Sequence, residues 1–257
     1  MTCWLRFEAD GATRFGTLNG DSITEMAGSM FADHRPSGRL FDLPQVRLLP
    51  PTQPSKMIGL WNNFHERAHA ENLHRPVHPL YFLKAASCFT GHGAPIRRPP
   101  GYHGKVVFEA ELGIVIGRRC TGIPPEQAAD AIFGYTCVND VTARDILRAD
   151  PAFPQWTRAK SFDGFGIFGP WIVTGLDPLN LRVRATVAGI ERQNYPVADM
   201  FFPPFEIVSR ISHDMTLEPG DLIACGTSVG AGEMRDGESV EVAIDGIGAL
   251  VNRLAAA

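Results

Sequence analysis

VVFEAELGIVIG, residues 106–117, is a proline-free run rich in Val and Ile, and this composition predicts a β-strand. Side chains of a strand alternate between its two faces. One face is apolar and consists of Phe108, Ala110, Leu112, Ile114 and Ile116. Glu109 and Glu111 share the other face, with their Cβ atoms roughly 6 to 7 Å apart. Two carboxylates this close repel each other, so either one keeps its proton or a cation neutralises both.

Asp140 is a third acid that can join this pair. It follows a second strand-like run, IFGYTCVN at residues 132–139, and it lies beside Glu109 and Glu111 if the two strands are neighbours. Three oxygen ligands without Cys or His suit a hard ion such as Mg²⁺ or Mn²⁺, with positions left for water and substrate. Two simpler interpretations stay open. An E-x-E pair is usually a solvated sheet face, and Asp140 can cap a predicted helix over residues 141–150.

Length and composition are those of an ordinary globular protein, with 257 residues, 44% of them hydrophobic and 20% charged. The net charge of −4 and the lack of a Lys/Arg-rich tract argue against nucleic acid or an anionic membrane as a partner. The charged beginning, MTCWLRFEADGATRFG, lacks the apolar run of a signal peptide, and we expect a cytoplasmic protein. Five cysteines without a C-x-x-C pair argue against a disulfide framework and a zinc knuckle.

Residues 1–50 predict a small N-terminal β domain. Short strand-like pieces alternate with turns there, and Asn19-Gly20 is the strongest hairpin signal. Three prolines, at positions 50, 51 and 54, predict an extended linker. Residues 51–257 then form the main domain, in which many Gly and Pro turns separate short β-like runs. We therefore expect a β-rich α+β fold.

HERAH, residues 65–69, matches the H-E-x-x-H pattern, in which two histidines bind Zn²⁺ and the glutamate is a general base. The charged Arg67 and the polar residues that follow are atypical of the buried helix of a zinc peptidase. A polar surface helix is the simplest alternative. The third interpretation is a lid over a site, for which His69 and Glu71 are the acid–base candidates.

Lys160 lies in an aromatic and Gly-rich segment, residues 150–169, that is typical of an ordered loop around a site. An isolated loop lysine is normally exposed, but Trp156 and Phe162 flank this one and can partly desolvate it. It can then pair with a substrate carboxylate or enolate. GTSVGAGE, residues 226–233, lacks the P-loop lysine and is not a nucleotide site. Its N–H groups and the Thr227 hydroxyl can hold a carboxylate.

Four motifs in this order resemble the fumarylacetoacetate hydrolase family: E-x-E at residues 109–111, NDVTARD at 139–145, QWTRAKSFD at 155–163 and GDLIACGT at 220–227. The resemblance covers roughly residues 56–252. It implies a mixed β-sandwich roll with a small N-terminal domain, usually assembled as a homodimer. The substrates that it implies are small 2-oxo acids, often 2,4-dioxo acids or their enols.

The resemblance also implies the roles of individual residues. The family's Mg²⁺ or Mn²⁺ ligands correspond to Glu109, Glu111 and Asp140. The residues that it places against the substrate are Lys160, which also takes part in catalysis, Arg144 and Thr227. Leu147 stands where many members have Gln after A-R-D-I.

The lid of many family members reads N-Y-x-x-H-A-x-E, and in family hydrolases its histidine and a glutamate activate water. His69-Ala70 is the nearest His-Ala pair, but two extra residues separate it from Asn63-Phe64. A register without a gap puts Arg67 at the histidine position. The candidates for the partner glutamate are Glu71, Glu66 and Glu233.

The predicted reaction is metal-dependent hydrolysis of a C–C bond in a 2,4-dioxo acid of the acylpyruvate, fumarylacetoacetate or fumarylpyruvate type, with His69 as the base. The alternative is a decarboxylase or isomerase of a 2-oxo or 2-hydroxy-dienoic diacid on the same metal site. A protein that binds metal and carboxylate without catalysis and a zinc peptidase are the remaining hypotheses.

Overall fold

The structure is a computed structural model that describes residues 1–256. Five strands precede the proline linker: β1 Thr2–Ala9, β2 Ala12–Asn19, β3 Ser22–Gly28, β4 His34–Asp42 and β5 Arg47–Leu49. The hairpin predicted at Asn19-Gly20 is confirmed, because β2 and β3 are antiparallel and Gly20 has a φ of +58°. A positive φ at the first central residue of a two-residue hairpin turn favours glycine.

The main part of the chain has fifteen further strands and five α-helices within the described residues. The strands are β6 Met57–Trp61, β7 Leu80–Lys84, β8 Phe89–Thr90, β9 Pro95–Ile96, β10 Val106–Phe108, β11 Ala110–Ile116, β12 Ile132–Asp140, β13 Thr142–Ala143, β14 Gly166–Thr174, β15 Arg182–Val187, β16 Ile190–Pro196, β17 Leu222–Ala224, β18 Gly232–Glu233, β19 Ser239–Ile244 and β20 Gly248–Leu254. The helices are α1 His65–Ala70, α2 Pro125–Ala131, α3 Arg144–Leu147, α4 Trp156–Lys160 and α5 Pro204–Asp214. No helix in residues 1–256 has both the length and the apolar character needed to cross a membrane.

Three sheets hold these strands. The largest runs β4-β3-β2-β1-β14-β12-β11-β17-β6-β7, so the N-terminal strands extend the main sheet through the β1–β14 pair. A second sheet has the order β16-β15-β19-β20-β9, and a small third one has the order β13-β10-β18. Buried side chains of β11, β12, β15 and β19 share one hydrophobic cluster, so the two larger sheets enclose the core. The predicted β-rich α+β fold is confirmed.

The strand predicted over residues 106–117 is interrupted at Glu109. Phe108 pairs with Gly232 in the small sheet, whereas Ala110 pairs with Asn139 in the large one. The interruption is held by hydrogen bonds, since the Glu109 N–H donates to the Asn139 side chain at 3.1 Å. The chain therefore changes sheet at the first acid of the E-x-E pair. Both faces of β11 are buried, so the solvated-face interpretation is wrong.

The helix predicted over residues 141–150 is much shorter than expected. Asp140 ends β12, and α3 begins only at Arg144 with Ala143 at the N-cap position. Asp140 is therefore not the cap of this helix. The buried Asp140 carboxylate is instead stabilised by ion pairs with Lys84 and Lys160.

Candidate metal centre and active site

Three buried carboxylates meet where β11 begins and β12 ends. The two strands are antiparallel neighbours, as expected, with Ala110 opposite Asn139. This pairing brings Glu109, Glu111 and Asp140 together, with one ligand oxygen from each lying within 4.8 Å of the others. Across residues 1–256 this is the only such group of three or more His, Cys, Asp or Glu side chains. We call it the acidic cluster.

Two buried lysines neutralise part of this charge. Lys160, at the end of α4, places its Nζ 2.6 Å from a Glu109 oxygen and 2.5 Å from an Asp140 oxygen. The same ammonium donates to the Thr142 hydroxyl at 2.7 Å. Lys84 forms an ion pair with the other Asp140 oxygen and donates to the Phe165 carbonyl at 3.0 Å. The prediction that Lys160 is desolvated agrees with its 2% exposure.

Lys84 was missed by the sequence reasoning. It ends β7, LYFLK, in which Phe82 and Lys84 occupy alternate buried positions. The alternation of side chains along a strand could have identified it, because Lys84 lies two residues after Phe82 and therefore shares its inward face. A lysine at an inward position needs a buried anion, and this requirement points to the acidic cluster.

The charges of the cluster shift the pKa values of its members in opposite directions. Burial by itself would raise the pKa of Asp140, but Lys160 and Lys84 outweigh it and lower this pKa. Burial would lower the pKa of Lys160, but Asp140 and Glu109 raise it to about 12. Burial, together with the negative charges of Asp140 and Glu109, raises the pKa of Glu111 well above 4.5. Lys160 thus stays protonated, and Glu111 is the acid that lacks compensation.

The donor set fits a hard divalent ion. Glu111 forms no ion pair with any residue in the described part of the chain, and one of its oxygens accepts from the Gly226 N–H at 2.7 Å. Two buried polar atoms next to cluster or loop residues, Asn139 Nδ2 and Ser228 Oγ, also lack partners among residues 1–256. Oxygen-only ligands with an uncompensated carboxylate are the chemistry that Mg²⁺ and Mn²⁺ prefer.

Helix α1 presents Arg67, and not His69, to this site. Arg67 and Ala68 are buried, whereas His69 is exposed. One Arg67 guanidinium nitrogen lies 4.0 Å from a Glu109 oxygen, and the same nitrogen donates to the Thr227 carbonyl at 3.4 Å. The Arg67 pKa is raised, because the charges of Glu109 and Glu71 outweigh the effect of burial.

The expected pairing of His69 with Glu71 is corrected by this geometry. The Glu71 carboxylate accepts from Arg67 Nε at 3.0 Å, and the His69 side chain forms no hydrogen bond within residues 1–256. The helix therefore follows the register without a gap. In that register Ala68 matches the alanine of N-Y-x-x-H-A-x-E, Arg67 takes the histidine position and Ala70 takes the glutamate position.

The H-E-x-x-H interpretation of α1 is wrong as well. His65 and His69 are both exposed, and the buried residue between them is a cation. The His65 ring packs on Phe201 with a centroid distance of 4.2 Å. Neither histidine belongs to a group of potential metal ligands in the part of the chain that the structure describes.

The other predicted substrate residues lie in different environments. Thr227 is buried, and its hydroxyl accepts from Gln193 Nε2 at 2.9 Å. Gln193, which the sequence reasoning missed, also accepts from the Ala110 N–H at 3.1 Å and so ties the Gly-rich loop to the start of β11. Arg144 is exposed at the start of α3, and its backbone N–H donates to the Lys105 carbonyl. Thr227 therefore lies in the same buried network as Arg67.

Comparison with known proteins gives two family matches. A model described as fumarylacetoacetate (FAA) hydrolase C-terminal matches residues 56–255, and one described as Rv2993c-like, N-terminal, matches residues 4–51. Protein Rv2993c of Mycobacterium tuberculosis is 40% identical over 257 residues, covering 96% of each chain. Oxaloacetate tautomerase YisK of Bacillus subtilis is 35% identical over 229 residues, covering 84% of this chain and 75% of the relative.

Two solved structures have the same fold. The 2-hydroxyhepta-2,4-diene-1,7-dioate isomerase from Mycobacterium marinum has a TM-score of 0.91 and 38% identity, and the match covers 100% of this chain and 99% of the isomerase. Maleylpyruvate hydrolase from Sphingobium sp. SYK-6, solved with manganese(II) and pyruvate, has a TM-score of 0.81 and 27% identity. That match covers 100% of this chain and 99% of the hydrolase. The names of these similar proteins include both isomerases and a hydrolase.

Proposed function

Because the chain belongs to the fumarylacetoacetate hydrolase family, we propose that it is a divalent-metal-dependent isomerase that interconverts the enol and keto forms of a small 2-oxo acid. The observation that carries this choice is the buried Arg67, which occupies the position of the water-activating histidine of family hydrolases. The names of two similar proteins, an oxaloacetate tautomerase and a dioate isomerase, support this reaction class.

We assign the metal to Glu109, Glu111 and Asp140. The support is their donor geometry and the uncompensated charge of Glu111. Manganese in the similar maleylpyruvate hydrolase supports an ion of this kind, and both Mg²⁺ and Mn²⁺ suit oxygen ligands. When bound, such an ion polarises the carbonyl of a 2-oxo acid and supplies positive charge for the enolate.

The remaining residues bind the substrate and stabilise negative charge. Arg67 stays protonated and has no acceptor atom, so it holds the substrate carboxylate and cannot remove a proton from water. Lys160 also stays protonated. Because its three N–H groups donate to Glu109, Asp140 and Thr142, it stabilises the enolate through its positive charge. We assign Thr227 to the substrate carboxylate through its buried hydroxyl, and Arg144 to a substrate contact.

The chemistry of the two candidate reactions separates them. In ketonisation the enol O–H bond breaks with loss of its proton to solvent, and C3 takes up a proton from solvent to form a C–H bond, so no water is consumed. C–C hydrolysis consumes water and needs a base to activate it. The two positions of the family dyad hold Arg67 and Ala70, neither of which accepts a proton, and Glu71 is neutralised by Arg67.

Rapid absorbance measurements test this proposal. The enol forms of oxaloacetate and phenylpyruvate absorb in the ultraviolet, and their decay is followed with Mn²⁺ and with EDTA. We expect faster decay of at least one enol with Mn²⁺, loss of this effect in EDTA and loss in Glu109→Ala. A short acylpyruvate is the parallel substrate, and we expect it to release no pyruvate.

Each other outcome assigns a different function. Mn²⁺-dependent pyruvate release that disappears in His69→Gln would establish C–C hydrolysis with His69 as the base and would overturn the proposal. Release of CO₂ from oxaloacetate at the rate of enol loss would assign decarboxylation. Stoichiometric Mn²⁺ binding without turnover of any of these acids would leave a binding protein without this activity.

A further inference from the structure

A largely apolar cavity of about 540 Å³ lies between β7, α3 and α4. Its principal lining residues are Trp61, Leu80, Phe82, Leu147, Arg148 and Trp156. We call it the aromatic pocket, because Phe82 and Trp156 stack at 5.5 Å with an interplanar angle of 15°, and Trp61 lies 5.5 Å from Trp156. A volume in this range is typical of sites for small ligands.

The Phe82 ring connects this pocket to the reaction centre. Its centroid lies 5.1 Å from Lys160 Nζ, which binds Glu109 and Asp140. The chain path explains the connection. In β7, Phe82 and Lys84 are alternate inward residues, and α4 carries Trp156 and Lys160 one turn apart. Each of these elements therefore provides one wall of the pocket and one cation of the site.

We propose that the aromatic pocket binds the group attached to C3 of the 2-oxo acid and that this group is apolar, an aryl or branched alkyl side chain. This inference rests on the proposed function and narrows its substrate class to arylpyruvate-like acids. Leu147, which is 6% exposed, lines the pocket at the position where many family members have Gln. At this position the pocket therefore lacks the side-chain amide that could hydrogen-bond a polar substrate end.

The charges around the pocket agree with an apolar occupant. Among the residues that line it, the one charged side chain is Arg148, which is exposed. A second substrate carboxylate in the pocket would lose its hydration against aromatic rings, and no buried cation lines the pocket to offset that cost. An aryl group stacks on the same rings at no such cost.

Substrate preference of the wild-type protein is the first test. With Mn²⁺, we measure kcat/KM for the ketonisation of enol-phenylpyruvate and enol-oxaloacetate. We expect phenylpyruvate to be favoured by roughly ten- to hundredfold, the range of discrimination that apolar pockets provide. Preference for oxaloacetate would overturn the inference and leave the proposed function intact. Activity on neither acid would instead contradict the proposed function.

Two variants test whether the preference for phenylpyruvate depends on residues of the aromatic pocket. Leu147→Gln should raise the KM for phenylpyruvate about tenfold, because a polar amide packs poorly against the apolar ring. The KM for oxaloacetate should change less, because the amide can hydrogen-bond its second carboxylate. Arg148→Ala should change the phenylpyruvate KM less than Leu147→Gln does. A selective loss of oxaloacetate turnover in Arg148→Ala would show that Arg148 holds a second carboxylate, and this would overturn the inference.

Light scattering of the same proteins examines the other possible occupant, a second copy of this chain. We expect Leu147→Gln to keep the mass of the wild type. A change in mass without a change in substrate preference would assign the pocket to an interface between copies and would also overturn the inference.

Discussion

Replacing Lys160 by Met should destabilise the metal-free protein more than any exposed lysine replacement. The side chain of Lys160 is 2% exposed and bridges Glu109 and Asp140, whose side chains are 10% and 1% exposed. Removing one partner of a buried ion pair leaves an uncompensated charge and costs about 3 to 5 kcal/mol. Lys84 still pairs with Asp140, so we expect a loss near the lower limit, about 3 kcal/mol.

Mn²⁺ should reverse part of this loss. A bound ion stabilises the folded state by about 2.7 kcal/mol at a concentration of 100 times its Kd. In Lys160→Met the ion no longer meets the repulsion of a neighbouring ammonium, so the variant should bind Mn²⁺ more tightly than the wild type. The difference in unfolding free energy between Mn²⁺ and EDTA should therefore be larger in the variant.

Urea denaturation in EDTA and in Mn²⁺ measures both effects. The matched control is Lys105→Met, because Lys105 is 63% exposed and lies 3.9 Å from Glu233. Exposed pairs of this kind contribute at most about 1 kcal/mol. If Lys160→Met lost no more stability in EDTA than Lys105→Met, the buried network would not have the energetic role argued from its geometry.

Burial and the charges of Asp140 and Glu109 raise the pKa of Glu111, so the metal must displace its proton. Mn²⁺ affinity should therefore fall as the pH drops through that raised pKa, and calorimetry in two buffers should detect proton release that Glu111→Gln lacks. The double variant Arg67→His/Ala70→Glu restores both positions of the family dyad, so it should gain pyruvate release from an acylpyruvate while each single variant does not. The predicted homodimer should appear as twice the chain mass in light scattering, whereas a monomeric mass would contradict it.

The carboxylates were predictable from the sequence because their positions follow from local rules. Alternation along a strand places Glu109 and Glu111 together, and the next strand-like run ends at Asp140. Adjacent strands in sequence are usually neighbours in space, and here β11 and β12 pair directly. The change of sheet at Glu109 was not predictable, because it depends on pairing with Gly232, far along the chain.

Two of the three cations of the site, Lys84 and Arg67, were harder to predict because their partners are distant in sequence. Lys84 binds Asp140 and the Phe165 carbonyl, which come from other strands and loops. The face of α1 that is buried was also undetermined, since a six-residue helix offers too few apolar positions to define an orientation. The tertiary contact between Arg67 and the Thr227 loop decides it.

The charge balance of the site links its construction to its substrate. Three buried cations, from Arg67, Lys84 and Lys160, face the three carboxylates of the acidic cluster. Arg67 also pairs with Glu71, so these protein groups carry a net charge of about −1 when all seven are ionised. A divalent ion adds two positive charges, and the enolate of a monocarboxylic 2-oxo acid carries two negative ones. A diacid would bring a third negative charge. Within residues 1–256 this network contains no further buried cation to pair with it. Charge balance and the apolar lining of the aromatic pocket thus favour the same class of substrate.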